Sequence, residues 1–226
     1  MKPVVIFGVG DFARVAAEYL AADSPYPVAG FTVHERYIPD GAKLSGRPVV
    51  AFETLLETHP PDAYAMFVAV GYSRVNQARA EVYVECRARG YELISYVNSR
   101  ASVWGEVGTG ESRIGDNTFI FEENVIQPFA TIGSNTVLWS GNHIGHDTKI
   151  GDHVFIASHA VISGNCRIGD YCFIGVNATF RDAITVAPRC VIGAAAVIMR
   201  DTEEGGVYAV RNTPLLPMKS WDLENF

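Results

Sequence analysis

The 226-residue sequence has little charge and no excess of basic residues. Charged residues make up 19% of it, and 18 Lys and Arg stand against 25 Asp and Glu. The formal net charge of −7 argues against nucleic-acid binding, which needs a basic face. No hydrophobic run approaches the roughly 20 residues of a membrane helix. The longest, Val191 to Met199, has nine residues and contains Gly193. We therefore expect neither a nucleic-acid-binding nor a membrane-spanning protein.

We also expect no signal peptide. The first residues, Met1-Lys2-Pro3-Val4-Val5, run directly into a strand-like segment without a charged and apolar leader. The sequence therefore predicts a cytoplasmic protein, a compartment in which thiols stay reduced. Cysteine is scarce, with four in the chain. The apolar fraction of 48% is ordinary, which indicates one or two folded domains with substantial cores.

A six-residue repeat fills the second half of the chain. Every sixth residue is large and apolar: Ile114, Ile120, Ile126, Ile132, Leu138, Ile144, Ile150, Ile156, Ile162, Ile168, Ile174, Phe180, Val186, Ile192 and Ile198. The next position is Gly in seven repeats, at 115, 133, 145, 151, 169, 175 and 193. The residue four positions after the apolar one is usually small. This period is neither helical nor a simple alternation.

A short strand followed by a tight turn fits a six-residue period. Three such units make one triangular coil of 18 residues, with the large side chain inside and the backbones of neighbouring coils paired about 4.8 Å apart. Gly relieves crowding where the backbone turns. The series predicts five coils, and an imperfect coil around Val103 and Val107 precedes them. Cys166, Cys172 and Cys190 fall on the small interior position, so we expect buried thiols and not metal ligands.

The first hundred residues predict a small parallel α/β domain. Strands are expected at 3–7, 28–33, 65–70 and 91–97, and they alternate with helices that begin near 12, 52 and 73. The helix 73–90 has Ser73 as a candidate N-cap and Gly90 as its stop. Its apolar face carries Cys86, which is most simply a core residue.

A glycine turn, Gly8-Val9-Gly10-Asp11-Phe12-Ala13, follows the first strand. Free backbone N–H groups at a helix N-terminus suit a phosphate. The dinucleotide fingerprint is incomplete, because the second strand is followed only by Glu35 and the domain is half of a doubly wound fold. These features disfavour a nicotinamide oxidoreductase. A tight turn that binds no ligand remains an alternative.

The hexapeptide series resembles that of the left-handed parallel β-helix acyltransferases. With the N-terminal unit, the chain resembles the bacterial sugar acetyltransferases of the sialic acid, bacillosamine and perosamine pathways. This resemblance implies a Rossmann-like nucleotide-sugar-binding domain over 1–98 and an all-β left-handed β-helix over 99–226 with a C-terminal extension. It also implies acetyl transfer from acetyl-CoA to a sugar hydroxyl or amine, by a cytoplasmic homotrimer with active sites between its subunits.

The family's His-acid pair, followed by an Ile-Gly-Asp repeat, matches His146-Asp147 and Ile150-Gly151-Asp152. His146 is two residues past the interior Ile144, which places it at a coil corner. The resemblance makes His146 the general base, a role that suits an imidazole, and Asp147 the residue that orients it. His143 is the main rival.

The resemblance also implies residues for the two substrates. The expected sugar-nucleotide contacts are Gly8, Gly10, Asp11, Phe12, Glu35, Gly71, Tyr72, Arg79, Asn142 and His143. The expected coenzyme A contacts are Phe155, His159, Gly164, Val176, Gly193 and Ala194. Asp11 and Phe12 depart from the family's nucleotide loop, which has a small residue and His there. Phe155 stands where a second His often occurs, which shifts that role to His153 or His159.

Two alternatives to this enzyme are kept in view. Four histidines between 143 and 159 suggest zinc, but their spacing lacks the His-x4-His pair of the related γ-class carbonic anhydrases, and we expect no metal. The second is a non-catalytic β-helix scaffold whose N-terminal domain merely binds a nucleotide. The His146-Asp147 pair favours the acetyltransferase.

Overall fold

The structure is a computed structural model and describes residues 1–104, 114–215, 217 and 219–222. Its N-terminal part is a mixed sheet with helices. The elements are β1 (Val4–Phe7), α1 (Asp11–Asp23), β2 (Val28–Val33), β3 (Lys43–Leu44), β4 (Arg47–Ala51), α2 (Leu55–Thr58), β5 (Ala65–Val68) and α3 (Gln77–Ala88). The sheet order is β3-β4-β2-β1-β5, and every pairing except β3 with β4 is parallel. The parallel α/β prediction is confirmed, although neither β3 nor β4 is predicted from the sequence.

Short strands build the second part. They are β6 (Tyr96–Val97), β7 (Ser102–Val103), β8 (Phe119–Ile120), β9 (Val125–Ile126), β10 (Thr131–Ile132), β11 (Val137–Leu138), β12 (His143–Ile144), β13 (Lys149–Ile150), β14 (Phe155–Ile156), β15 (Val161–Ile162), β16 (Arg167–Ile168), β17 (Phe173–Ile174), β18 (Thr179–Phe180), β19 (Thr185–Val186), β20 (Val191–Ile192), β21 (Val197–Ile198) and β22 (Val207–Tyr208). Each of β11 to β18 pairs in parallel with the strand 18 residues before it and the strand 18 residues after it. The described strands therefore form the predicted parallel β-helix.

The β-helix has three faces, which we name by their strands. Face I contains β6, β8, β11, β14, β17, β20 and β22, face II contains β7, β9, β12, β15, β18 and β21, and face III contains β10, β13, β16 and β19. The predicted imperfect coil begins with β6 and β7, which pair with β8 and β9. Val107 lies outside the described residues. The strand predicted at 91–97 is divided, since Leu93 bridges to Met66 of β5 whereas β6 belongs to face I.

The repeat residues occupy the predicted positions. The large apolar residues from Ile120 to Ile198 are buried inside the coils, as are Cys166, Cys172 and Cys190 at the small position. All four cysteines are free thiols, and burial raises the pKa of Cys86 and of Cys172 to about 12. These thiols therefore fill space in the core, as predicted.

The turns between the strands explain two further positions of the six-residue repeat. From Ile114 to Ile192, the residue three positions after each interior residue has a positive φ, as in Asn135 (55°), Asp147 (58°) and Asn165 (58°). The glycine that follows an interior residue lies against the next coil: a Cβ on Gly145 would be 2.4 Å from the backbone nitrogen of Gly164. Close approach, more than backbone freedom, therefore requires glycine there.

The helix α3 begins later than predicted. Ser73 is not its N-cap, because Arg74, Val75 and Asn76 have φ angles of 53°, 51° and 65° and form a left-handed turn. Such a conformation costs an L-residue roughly 1–2 kcal/mol. The buried Asn76 side chain holds the turn by donating from Nδ2 to the carbonyls of Tyr171 and Cys172, both at 3.0 Å.

Candidate active site

His146 and Asp147 lie side by side at the corner between faces II and III. His146 Nδ1 is 2.9 Å from Asp147 Oδ2, and both side chains are about half exposed. The backbone N–H of His146 donates to Gln127 Oε1 at 2.9 Å, which fixes the residue to the preceding coil. Because a carboxylate only accepts, this contact places the Nδ1 proton toward Asp147 and leaves Nε2 of a neutral ring as a proton acceptor.

Gly164 lies directly beneath the His146 ring, one coil along the same corner. A Cβ on Gly164 would be 2.6 Å from Nε2 and 2.8 Å from Cε1 of His146. The glycine therefore leaves the space that the imidazole occupies. Of the residues expected to contact coenzyme A, Gly164 alone is placed beside His146 within one chain.

Substituting Gly164 with Ala is expected to displace the ring of His146, the base that the sequence predicts, and to lower kcat about 10-fold or more, because small misplacements of a catalytic group are costly. Steady-state kinetics checks this. In a His146→Ala background the same substitution should have no further effect on kcat. A rise in the KM for acetyl-CoA with unchanged kcat would instead make Gly164 only a binding contact.

The other clustered histidines point elsewhere. His143 projects from face II between Val125 and Val161, its register partners, and is half-buried. His153 Nδ1 is 2.8 Å from Nδ2 of Asn135 on the preceding coil, and the His153 ring contacts the N-terminal part, 5.5 Å from the ring of Tyr83. Burial holds the pKa of His153 below its ordinary value. His153 is therefore a packing residue.

His159 lies at a different corner, between faces I and II, with its ring against Gly141. Val176, Gly193 and Ala194 occupy the same corner on later coils. One chain therefore does not bring these predicted coenzyme A contacts together with His146.

A cavity of about 740 Å³ lies at the carboxyl ends of β1, β2 and β5. Gly8, Gly10, Asp11 and Phe12 line it, as do Gly71 and Tyr72, so most of the predicted nucleotide contacts meet here. The turn needs its first glycine, since Gly8 has φ 132° and a Cβ on it would be 2.7 Å from the Ala69 carbonyl oxygen.

Aromatic residues of face I close the other side of this cavity. Trp139 and Phe155 line it, and Trp139 stacks on Phe121 with ring centroids 4.5 Å apart. Phe155 packs against Tyr72, at 5.0 Å, and is 5% exposed. Phe155 thus belongs to the cavity wall, which corrects its assignment to coenzyme A. The recurrence of aromatic residues at 119, 155 and 173 on one outward column is the signal that would have identified this wall.

Three further predicted contacts are corrected. Glu35 is exposed, and its backbone N–H donates to Glu53 Oε2; its neighbours His34, Arg36 and Tyr37 line the cavity instead. Asn142 is buried in its coil, where Oδ1 accepts from the Ala160 N–H at 2.8 Å and Nδ2 donates to the Trp139 carbonyl. The third is Arg79.

Arg79 is fully buried where α3 meets the β-helix. Its guanidinium donates to the carbonyls of Asn135, His153, Val154 and Gly71 and to the Asn76 side chain, at 3.0 to 3.2 Å. These contacts use all five of its N–H groups, so none is left for a nucleotide. Burial lowers its pKa to about 9, and the group stays charged at neutral pH.

Substituting Arg79 with Ala is expected to lower the free energy of unfolding by about 3 kcal/mol, because buried carbonyl groups lose charged donors. Urea unfolding measures this. Arg79→Lys should destabilise as well, since an ammonium cannot reproduce the planar fork. Arg87→Ala, which breaks an exposed pair with Asp116, is the control and should cost less than about 1 kcal/mol. An equal effect of the two Ala variants would contradict the assignment.

Comparisons with known proteins support the fold. The family described as "Bacterial transferase hexapeptide (six repeats)" matches residues 129–164. The acetyltransferase domain of PglB from Neisseria gonorrhoeae FA1090 has 26% identity and a TM-score of 0.79, over 93% of this chain and 97% of that one. No curated protein sequence matches the chain significantly.

Two more solved structures have the same fold at lower identity. PerB from Caulobacter crescentus, in complex with CoA and GDP-perosamine, has 23% identity and a TM-score of 0.78, over 93% of this chain and 95% of that one. WeeI from Acinetobacter baumannii AYE has 18% identity and a TM-score of 0.74, over 92% and 96%. The PglB domain has also been solved with acetyl coenzyme A.

Among the described residues, no helix is long and apolar enough to span a bilayer. Nor do the described His, Cys, Asp and Glu side chains form a group that would hold a metal ion.

Proposed function

We propose that the protein is an acetyltransferase that moves an acetyl group from acetyl-CoA to an amine or hydroxyl of a nucleotide-linked sugar, in the synthesis of a bacterial surface glycan. The observation that carries this proposal is the His146–Asp147 pair over Gly164, on an exposed corner of a hexapeptide β-helix. The cavity beside the glycine turn supports a nucleotide-linked acceptor. The solved relatives that bind CoA, acetyl coenzyme A and GDP-perosamine point the same way.

The residues at the corner fit a thioester donor. Gly164 lets the imidazole lie directly against the next coil, because a Cβ there would be 2.6 Å from His146 Nε2. The ring is still about half exposed, so a thioester can approach it from solvent. Acetyl-CoA supplies the activated acetyl group. His146 Nε2 takes the proton from the sugar amine or hydroxyl as that group forms its bond to the acetyl carbon. Asp147 holds the ring and stabilises the imidazolium, which then returns the proton to the departing sulfur.

The acetyl acceptor and His146 belong to different copies of the chain under this proposal. The cavity opens beside face I, whereas His146 lies at the corner opposite that face. A sugar in the cavity therefore cannot reach the same chain's His146 directly. A second copy must bring its His146 corner to the corner between faces I and II, which adjoins Trp139.

The exposed side chains of face II support a homotrimer in which the His146 corner of one subunit meets the corner beside Trp139 of the next. Its outward residues include Val125, Val161 and Val197, which are 36%, 41% and 62% exposed. Face I is covered by the N-terminal part, and face III presents Lys149 and Arg167. An exposed apolar face marks an interface. Around a three-fold axis, each His146 corner meets the neighbour's corner that carries Val176 and Ala194. This arrangement brings the expected coenzyme A contacts together with His146.

Val161→Asp is expected to dissociate the trimer, because it places a carboxylate in the apolar interface. Sedimentation equilibrium at micromolar concentration measures the mass. Lys149→Asp, on face III, is the matched control and should leave a trimer. A monomeric unsubstituted protein would contradict the proposed assembly.

A thiol-release assay tests the function. The protein is incubated with acetyl-CoA and a panel of nucleotide-linked amino and hydroxy sugars, and free coenzyme A is measured against a blank without acceptor. We expect turnover with one class of acceptor and none with acetyl-CoA alone. The alternative, a non-catalytic nucleotide-binding scaffold, is favoured if nucleotides bind but no acceptor in a broad panel is acetylated.

A further inference from the structure

Arg74 and Glu81 form an ion pair at the cavity in the N-terminal part, and both line it. Arg74 Nη1 donates to Glu81 Oε1 at 3.0 Å, and Nη2 donates to Glu81 Oε2, so the ion pair is bidentate. Both side chains are more than half exposed. Neither residue has a role in the mechanism above.

The backbone that carries Arg74 is unfavourable by itself. Arg74 and Val75 both have φ near 50°, a conformation that is rare for a branched residue such as Val. The side chains of Asn76 and Tyr72 anchor this backbone to the β-helix. Asn76 is buried and donates to the carbonyls of Tyr171 and Cys172, just before β17, and the Tyr72 ring packs on Phe155 and Phe173 at 5.0 and 4.8 Å.

Stability does not explain this arrangement. An exposed ion pair contributes little to folding, so it does not offset the unfavourable turn. Strained backbone that the surrounding structure holds in place is typical of ligand sites. The anchors fix Arg74 on the cavity that also contains the Gly8–Gly10 turn, whose position before α1 suits a phosphate.

We infer that Arg74 binds the diphosphate of the nucleotide-linked acceptor, and that Glu81 holds Arg74 in the free protein. This inference rests on the proposed function and deepens it. A diphosphate offers more negative charge than one carboxylate and the same bidentate geometry for a guanidinium. It therefore competes with Glu81 for Arg74. The aromatic wall of Trp139 and Phe155 then faces the sugar end of the ligand.

Calorimetric titration of the full-length protein with GDP, UDP, dTDP and ADP provides the test, with each nucleoside alone for comparison. Arg74→Gln should weaken binding of the preferred nucleoside diphosphate about 10-fold or more, because it loses a charged bidentate contact. It should leave nucleoside affinity unchanged. Glu81→Gln should tighten diphosphate binding about threefold, since the competitor for Arg74 is removed.

A double-mutant cycle tests whether Glu81 affects diphosphate binding through Arg74. In the Arg74→Gln background, Glu81→Gln should no longer tighten binding. Arg47→Gln is the matched control: it removes one positive charge from a pair with Glu18, residues that do not line this cavity, and should leave affinity unchanged. Circular dichroism confirms folding of each variant.

The outcomes separate this inference from the proposed function. Binding of a nucleoside diphosphate that is unchanged by both Arg74→Gln and Glu81→Gln would overturn the role of Arg74 and leave the acetyltransferase standing. Equal loss of diphosphate and nucleoside affinity in Arg74→Gln would also overturn it, as a general disturbance of the cavity. Acetylation of free sugars without binding of any nucleotide would overturn the role of Arg74, together with the nucleotide-linked acceptor, and would retain acetyl transfer.

Discussion

His146→Ala is expected to lower kcat by about 100-fold or more with little change in the KM for either substrate, because under the proposed function it removes the group that accepts the acceptor's proton. The ring lies on exposed backbone at a corner and fills no core space, so the fold should be retained. Asp147→Asn should lower kcat less, since the amide keeps the side-chain volume but no longer stabilises the imidazolium. Initial rates of thiol release measure both effects.

The neighbouring histidines provide matched controls. His143 lies on face II and His159 lies at the next corner, so His143→Ala and His159→Ala should retain kcat within about 10-fold. Retained activity in His146→Ala together with its loss in His143→Ala would transfer the role of base to His143.

Two inactive variants are expected to restore activity when they are refolded together. His146→Ala keeps the cavity, and Gly10→Phe keeps His146 but fills the cavity beside the glycine turn. A Cβ on Gly10 meets no atom within 4 Å and the residue has φ −86°, so the backbone tolerates a side chain. If each site combines one copy's cavity with another's His146, random trimers should regain about a quarter of the activity.

The same mixture distinguishes the alternative arrangement. A site contained in one chain would stay inactive in every mixed trimer, because no chain has both an intact cavity and His146. Co-refolding each variant with itself gives the baseline. Gly10→Ala, which adds only a methyl group, should keep most of the activity and shows that the Phe side chain acts by its volume.

The β-helix could be predicted from the sequence almost residue by residue. Its register is local, since each coil repeats after 18 residues and each interior position demands a large or a small apolar side chain. Ile120 and Cys166 could therefore be placed without knowing any distant contact. The corner position of His146 follows from the same register, and so does its place over Gly164.

The N-terminal part was predicted less completely because distant contacts decide it. Hydrophobic periodicity extended α3 back to Ser73, but the left-handed turn at Arg74 to Asn76 is held by bonds to residues about 95 positions away. The family resemblance implies that Arg79, like Gly71 and Tyr72 after the same strand, contacts the nucleotide. Only the packing of α3 on face I shows that its donors are all used.

The lining of the cavity also depends on contacts between residues that are distant in the sequence. Trp139 and Phe155 belong to the repeat, and their outward position was fixed by the register. What they face depends on which side of the β-helix the N-terminal part covers. Hence the resemblance implies a coenzyme A contact for Phe155, whereas the structure places its side chain in the wall of the cavity beside the glycine turn.

A crystal structure with coenzyme A and the preferred nucleoside diphosphate tests the central claim most directly, namely that the acetyl donor meets His146 of one subunit beside the cavity of another. We predict the coenzyme A sulfur within about 4 Å of His146 Nε2, the pantetheine chain over Gly164, and the nucleotide in the neighbouring subunit's cavity. A thiol bound away from His146, or a nucleotide outside the cavity, would contradict the account.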